Sequence, residues 1–507
     1  MTTVTQAQPR PLALETSLAM RIGLGVALSA VSGLFLFLAF PPFNWWPLIW
    51  VALVPYLLAQ HRLMPLKLAS LAPAIAAGVW LWPFLYRLFN IPGAPLWFVH
   101  LGLAVGVICY FLHSERKFCE QTGYQWFILQ GVFYWVGFEM IRSFIPFMGT
   151  MGFAANPLAS QAWLIQPVSI FSIYGMSLMV LLFNFAVAQV ALYLFDRNWK
   201  LEDSVAVDGR ATWRWMAGIA TLLVAWVALS LVMYNQSSKN AQTVRVAALQ
   251  SGYPQVAFDP SGPSWEERLG TLSEQVREAA AQGARVIFTP ELAFDFDPQV
   301  EHTDELRALA AETGAYLYLN YGFGDDVSFH NETVLLSPSG EFSEVYGKFH
   351  PSVGERQSAT AGTFPVHETP FGRLASVICM DGLFTDATRY LAKNGAQLIA
   401  IPTANTTVGI SEQNWTHFVF RSVETQTPVV NADYAYVSMI TDSRGRILEW
   451  VNTPDSGRAV LVTDVILGSA NSPHRFLGDW LGWVSLAGFA LFIVFETLTN
   501  RRAKRQM

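Results

Sequence analysis

The chain has 507 residues, 52% apolar and only 14% charged, with a formal net charge of −6 and three cysteines. Soluble domains usually carry about 25% charged residues, so the deficit points to membrane segments. No basic cluster interleaved with aromatics points to nucleic acid. No spacing among the nine histidines makes a metal site, and His330, His350, His367 and His417 read as satisfied polar or core residues. Of the three cysteines, Cys109, Cys119 and Cys379, only the last falls in the charged, soluble-looking stretch, so no disulfide framework is possible there.

Crossing a bilayer as a helix takes about 20 apolar residues. Eight stretches fit or approach this, at 19–40, 46–60, 68–90, 96–113, 124–146, 163–193, 213–234 and 477–498. The first lacks a clear small-residue cleavage site and further spans follow it, so it reads as a retained helix. Lys and Arg alternate between the loops. Arg10, Arg21, Arg62, Lys67, Arg116, Lys117, Arg197, Lys200, Arg210, Arg214 and the terminal "RRAKR" fall on one side. The loops "PPFN", "NIPGAP" and 147–162 carry none, and Arg87 is the one exception. The positive-inside rule then puts both termini, 1–18 and 499–507, in the cytoplasm. Helices 1–7 occupy 19–234 and helix 8 occupies 477–498. The stretch 242–475 between them falls on the outer face, the periplasm in a Gram-negative cell. Glu139 and Arg142 in "WVGFEMIRSF" share a helix face. They read either as an ion pair locking helices or as a head-group contact on a substrate path.

From 244 onward, strands and helices alternate. "VRVAALQ" is a strand, and 263–283 an amphipathic helix with Ser264 as cap and Gly283 as stop. "ARVIFTPE" is a strand. "TDELRALAAETG" is a helix with Thr303 at the cap position and Gly314 after its end. "AYLYLNYGFG" is a strand, and "NETVLLSPSGEFSEVYGK" a hairpin turning at "SPSG". The strands "RLASVICM" and "AQLIAIPT" flank the helix "TDATRYLAKNG". The helix "SEQNWTHFVFRSVETQ" and the strands of 428–451 follow. This order implies an α/β sandwich, with sheets inside and helices outside.

Glu291, Lys348 and Cys379 each end a strand, where sites collect in α/β folds. A lone thiol in an exported domain is either deeply buried or functional. A thiol nucleophile, a carboxylate base and a cation for the oxyanion form a coherent set. Glu291 as a turn residue, Lys348 as an edge-strand charge and Cys379 as a small core hydrophobe are the plainer readings.

At "TPE", "YGKFH" and "ICMD" the stretch 244–465 resembles the nitrilase, or carbon–nitrogen hydrolase, superfamily. With eight helices around it, the whole chain resembles the apolipoprotein N-acyltransferase family, whose nitrilase-like domain lies between the seventh and eighth membrane helices. "FPPFNWWPLIWVALVP", "WVGFEMIRSF" and "SIYGMSLMVLLFN" add to the resemblance. Departures are visible. Met380-Asp381 stands where the family has Tyr-Glu, "KFHPSVGE" is one residue short, Phe258 replaces an expected Trp, and "TANTTVG" replaces "NDAWFG".

The resemblance implies a polytopic α-helical membrane part joined to an α/β nitrilase-like sandwich, with no cofactor and no metal. Glu291 would be the base, Cys379 the nucleophile, and Lys348 with the Met380 N–H the oxyanion donors. Glu355 would support Lys348 or the incoming amine. Phe258, Asp381, Glu139 and Arg142 would contact substrate, and the 404–410 loop acyl chains. The implied donor is a phospholipid and the implied acceptor the diacylglyceryl-modified N-terminal cysteine of a lipoprotein, met in the bilayer. A membrane-anchored amidase, an acyltransferase with another acceptor and an inert scaffold are the rivals.

Overall fold

The computed structural model describes residues 12–13, 17–89, 100, 104–107, 115–200, 204–236, 242–252, 263–324, 328–453 and 457–506. Among these, five helices are long and apolar enough to cross a membrane: Leu18–Ala39, Leu66–Leu88, Val168–Asn198, Gly209–Tyr234 and Trp480–Ala503. They answer five of the eight expected spans. The expected span 46–60 is not one helix. It breaks into a 3-10 turn at Trp46–Trp50, an α turn at Val54–Leu58 and a π turn at Ala59–Leu63. Pro47 and Pro55 sit at the starts of the first two pieces, where a missing N–H is harmless. The expected span 124–146 holds a helix of only 16 residues, Phe127–Arg142. Span 96–113 lies almost wholly outside the described residues. The sixth helix is kinked at Ser172, whose φ of 59° is non-helical. The last continues to Gln506, so the basic tail is its final turns rather than a separate segment.

The α/β part carries twelve strands in two sheets. β1 (Thr243–Gln250), β2 (Val286–Phe288), β3 (Tyr316–Gly324), β4 (Phe329–Leu336) and β5 (Tyr346–Gly347) lie in the first. β6 (His367–Thr369), β7 (Gly372–Ser376), β8 (Leu398–Ala400), β9 (Val429–Asn431), β10 (Tyr436–Thr441) and β11 (Ile447–Thr453) lie in the second. β12 (Ala459–Ile466), which the sequence reading passed over, returns to the first. The orders are β12-β1-β2-β3-β4-β5 and β11-β10-β9-β8-β7-β6. Parallel pairs sit at the centre of each sheet, and antiparallel strands close the edges.

Alternation along β1 shows how the layers form. Val244, Val246 and Ala248 pack between the sheets, with Leu374, Leu398 and Val430 opposite. Ala247 and Leu249 face the helix layer with Leu272 and Val276. Helix Trp265–Ala281 is stopped at its start by a reciprocal capping box between Ser264 and Glu267. Helix Thr303–Thr313 differs from expectation, because its cap position is held by His302 at φ 53°. Thr303 donates its hydroxyl to the Pro298 carbonyl instead.

The two parts share a core. Leu36, Phe84 and Val180 of the membrane helices belong to one apolar cluster with Ala375, Ile378, Leu383, Phe418 and Val419 of the α/β part. Helix Val408–Thr425 is the hinge of this contact and is buried along nearly its whole length. Gly409 allows the close approach, since a Cβ there would lie 2.4 Å from the Arg87 carbonyl oxygen. Arg87, the exception to the charge pattern, pairs at this junction with Glu412 at 2.6 Å.

Candidate active site

Three strand ends converge in the α/β part. Glu291 follows β2, Lys348 follows β5 and Cys379 follows β7, and all three side chains are buried. Gly347 makes room for the lysine segment, because a Cβ there would meet Thr360 Oγ1 at 2.2 Å. Lys348 Nζ donates to Glu291 Oε1 at 2.8 Å, to Glu355 Oε2 at 2.7 Å and to Ser352 Oγ at 3.1 Å. Its three N–H groups are therefore all in use. The buried Cys379 thiol lies near enough for the charges of Glu291 and Lys348 to act on it. The structure thus brings together Glu291, Lys348, Cys379 and Glu355.

Cys379 sits on a tight turn. Its φ is 46°, in the left-handed region that non-glycine residues rarely enter. Its N–H donates to the Pro402 carbonyl at 2.8 Å, and a 3-10 turn, Cys379–Leu383, follows. The Met380 N–H lies in the first turn of that 3-10 helix, where backbone donors have no partner inside the helix.

Burial first, then the Glu291 carboxylate, push the Cys379 thiol well above its ordinary value, while Lys348 pulls it down. The thiol is therefore protonated at rest and needs a base to become a nucleophile. Burial opposes the Lys348 charge, but the Glu291 and Glu355 carboxylates outweigh it and raise the amine above its ordinary value. Burial likewise opposes the Glu355 charge, and Lys348 overcomes it and lowers the carboxyl.

Asp381 is not an open wall of the pocket. It is 0% exposed, and its carboxylate accepts from the N–H groups of Ile378 at 2.9 Å and His350 at 2.7 Å and from the Tyr346 hydroxyl at 2.7 Å. It ties the cysteine turn to the strand that carries Lys348. Glu139 and Arg142 lie in the membrane part and carry no ion pair with each other among the described residues. Glu139 accepts from the Ala154 N–H at 2.8 Å and from Trp135 at 3.2 Å. Arg142 donates to the Met151 carbonyl and lies over the Phe153 ring. Phe258 falls outside the described residues.

Sequence reasoning missed Asn331, Ser352 and Ala404. Asn331 Nδ2 donates to Glu291 Oε1 at 2.9 Å and to Glu355 Oε1 at 2.7 Å, separating two carboxylates that would otherwise repel. The Ala404 N–H donates to Glu291 Oε2 at 2.9 Å. The loop after β8, expected against acyl chains, thus holds the carboxylate by its backbone. Asn331 lies mid-strand in "HNET", where no local pattern marks it out.

A family model described as carbon-nitrogen hydrolase matches residues 245–473. One described as the apolipoprotein N-acyltransferase N-terminal domain matches residues 32–186. The chain is similar to an apolipoprotein N-acyltransferase of Geobacter metallireducens, 26% identical over 92% of this chain and 94% of that one. It is similar to one of Gloeobacter violaceus, 26% identical over 95% of this chain and 96% of that one. Among solved structures, an amidase from Nesterenkonia sp. matches 48% of this chain and 100% of its own, at 21% identity and a TM-score of 0.38. Both matched regions lie on one chain, and the relatives named for the acyltransferase match nearly its full length. Together these findings support the apolipoprotein N-acyltransferase family, within the carbon–nitrogen hydrolase superfamily.

Proposed function

We propose that this protein moves a fatty acyl chain from a phospholipid, through a thioester on Cys379, to the α-amine of the N-terminal diacylglyceryl cysteine of a lipoprotein. The named relatives support the class of reaction. One observation carries the residue assignment: Lys348 bridges the buried Glu291 and Glu355 carboxylates, and the buried Cys379 thiol lies within reach of their charges.

In this reading Glu291 takes the thiol proton as Cys379 Sγ attacks the ester carbonyl. The oxyanion meets the Lys348 charge and the Met380 N–H. The Lys348 bond to Ser352, the longest of its three at 3.1 Å, is the one an oxyanion replaces. The ester C–O bond breaks, Glu291 returns the proton to the departing oxygen, and lysophospholipid leaves. The lipoprotein amine then attacks the thioester, Glu291 takes its proton, and the amide and the thiol are released. Glu355 holds Lys348 throughout. Two substrates use one site in turn, so ping-pong kinetics follow.

The same reading puts residues 1–18 and the C-terminus in the cytoplasm and 242–475 on the outer face of a bacterial inner membrane. The loop charges support that orientation, and the core shared between membrane helices and the cysteine-bearing sheet supports only the docking of the α/β part against the membrane part. The test is intact mass after incubation with phosphatidylethanolamine. An added acyl mass, lost with neutral hydroxylamine and missing in Cys379→Ala, is the expected result. A folded protein with an alkylatable thiol and no adduct overturns the phospholipid donor and leaves the amidase reading.

A further inference from the structure

Glu291 is held from a second direction, by residues that no part of the reaction uses. β9 ends at Asn431, and Asp433 and Tyr434 follow. Asp433 is 0% exposed and is the hub of a buried polar cluster. Its carboxylate accepts from the Asn405 N–H at 3.2 Å, Asn405 Nδ2 at 2.9 Å, Ser411 Oγ at 2.6 Å and its neighbour's N–H, that of Tyr434, at 2.8 Å. Asn405 is the residue after Ala404, and Asn405 Oδ1 is in turn held by Asn414 at 2.7 Å. Asp433 therefore fixes the turn whose Ala404 N–H donates to Glu291 Oε2.

Tyr434 works on the other side. Its hydroxyl donates to the Leu292 carbonyl at 2.9 Å. Leu292 directly follows Glu291 and has a φ of 53°, a conformation that a branched side chain adopts only when its surroundings impose it. One dipeptide thus grips the glutamate at its carboxylate, through Ala404, and at its backbone, through Leu292.

We propose that Asp433 and Tyr434 are positioning residues that hold Glu291 aligned for proton transfer with the Cys379 thiol, an inference that rests on the reading of Glu291 as the base. Among the described residues neither has a hydrogen bond to the thiol or to Lys348, so they act through Glu291. A misplacement on the order of 1 Å at a reacting group can cost about a hundredfold in rate. Loosening one of two grips is expected to cost less, on the order of tenfold. Burial pushes Asp433 up to about 7, while hydrogen bonds from Ser411 and Asn405 pull it down. The partners given for its carboxylate are neutral dipoles.

The test uses full-length protein in phosphatidylethanolamine micelles and follows single-turnover thioester formation by intact mass. Tyr434→Phe removes one hydroxyl and keeps the ring. Its rate constant is expected to fall about tenfold, with the lipid concentration at half-maximal rate within about twofold and the final amount of thioester unchanged. Asp433→Asn, which turns a donor towards Ser411 and Asn405, is expected to do the same or more. A purely structural role predicts the opposite split: less final thioester, from fewer folded molecules, at an unchanged rate constant. That result, or Tyr434→Phe at the wild-type rate, overturns the proposal. If the wild type itself forms no thioester, the reaction assignment falls instead, so the two failures are distinguishable.

Discussion

Arg87 Nε and Nη2 both donate to Glu412 Oε2, at 3.1 and 2.6 Å, joining the end of a membrane helix to the second turn of helix Val408–Thr425. Beside this pair, Thr407 Oγ1 donates to the Leu88 carbonyl and Gln413 Nε2 to the Pro41 carbonyl. The exception to the charge alternation is thereby explained: Arg87 is matched by a carboxylate of the α/β part. Its side chain is 37% exposed, so the pair is worth at most about 1 kcal/mol. Its role is register rather than strength.

Arg87→Ala is therefore expected to leave the thermal midpoint within a few degrees of wild type. Hydrogen exchange in the second turn of helix 408–425, around Glu412, should rise, while exchange in β1–β3 stays unchanged. Equal protection in both proteins would show that the shared apolar core alone sets the dock.

Glu291→Gln keeps the shape of the side chain and removes its capacity to take a proton. Loss of a general base costs about 10²–10⁴ in rate. Thioester formation should slow by that factor, with lipid affinity little changed. Measuring the single-turnover rate and its lipid dependence separates the two, and a wild-type rate would remove Glu291 from the role.

Lys348→Ala leaves Glu291 and Glu355 buried with their shared cation gone. Removing one partner of a buried pair costs about 3–5 kcal/mol, so this variant should lose stability as well as activity. Lys348→Ala, Glu355→Gln should recover part of the stability, read from the unfolding midpoint in detergent, without recovering thioester formation.

Asp381 supplies a pH signature. Burial pushes its carboxyl from 3.8 to about 6. The native state then holds a proton that the unfolded chain has already lost, so this group's contribution to stability falls as pH rises from about 4 to 6. The stability gap between wild type and Asp381→Asn is expected to shrink by about 2–3 kcal/mol over that range. The gap is the quantity to measure, since burial drives His417 down to about 3 and this opposes the trend in both proteins alike. A gap that is flat with pH would show that Asp381 is charged throughout.

Much of this protein is legible without coordinates. Apolar runs, the loop charges and the period-two strands are local patterns, and the capping box of Ser264 and Glu267 needs only the chain's own neighbours. The strand-end residues Glu291, Lys348 and Cys379 announce themselves by chemical type, and resemblance named their set. Proline-broken 46–60 defeated the span count because length in apolar residues says nothing about helix continuity. His302 holds the cap position in place of Thr303, in a left-handed conformation that residue type does not announce.

What only tertiary structure decided is what each side chain meets. Arg87 and Glu412 lie 325 positions apart, and Asn331 reaches two carboxylates because β4 lies in one register beside β3. Asp381 became a buried hub and Asp433 a grip on Glu291 because turns at strand ends, some with left-handed φ, aim them inward. Periodicity is set by geometry within a few residues, and so sequence determined the elements and the chemical inventory. Hydrogen bonds between distant strand ends depend on sheet order and register, which exist only once the core has closed.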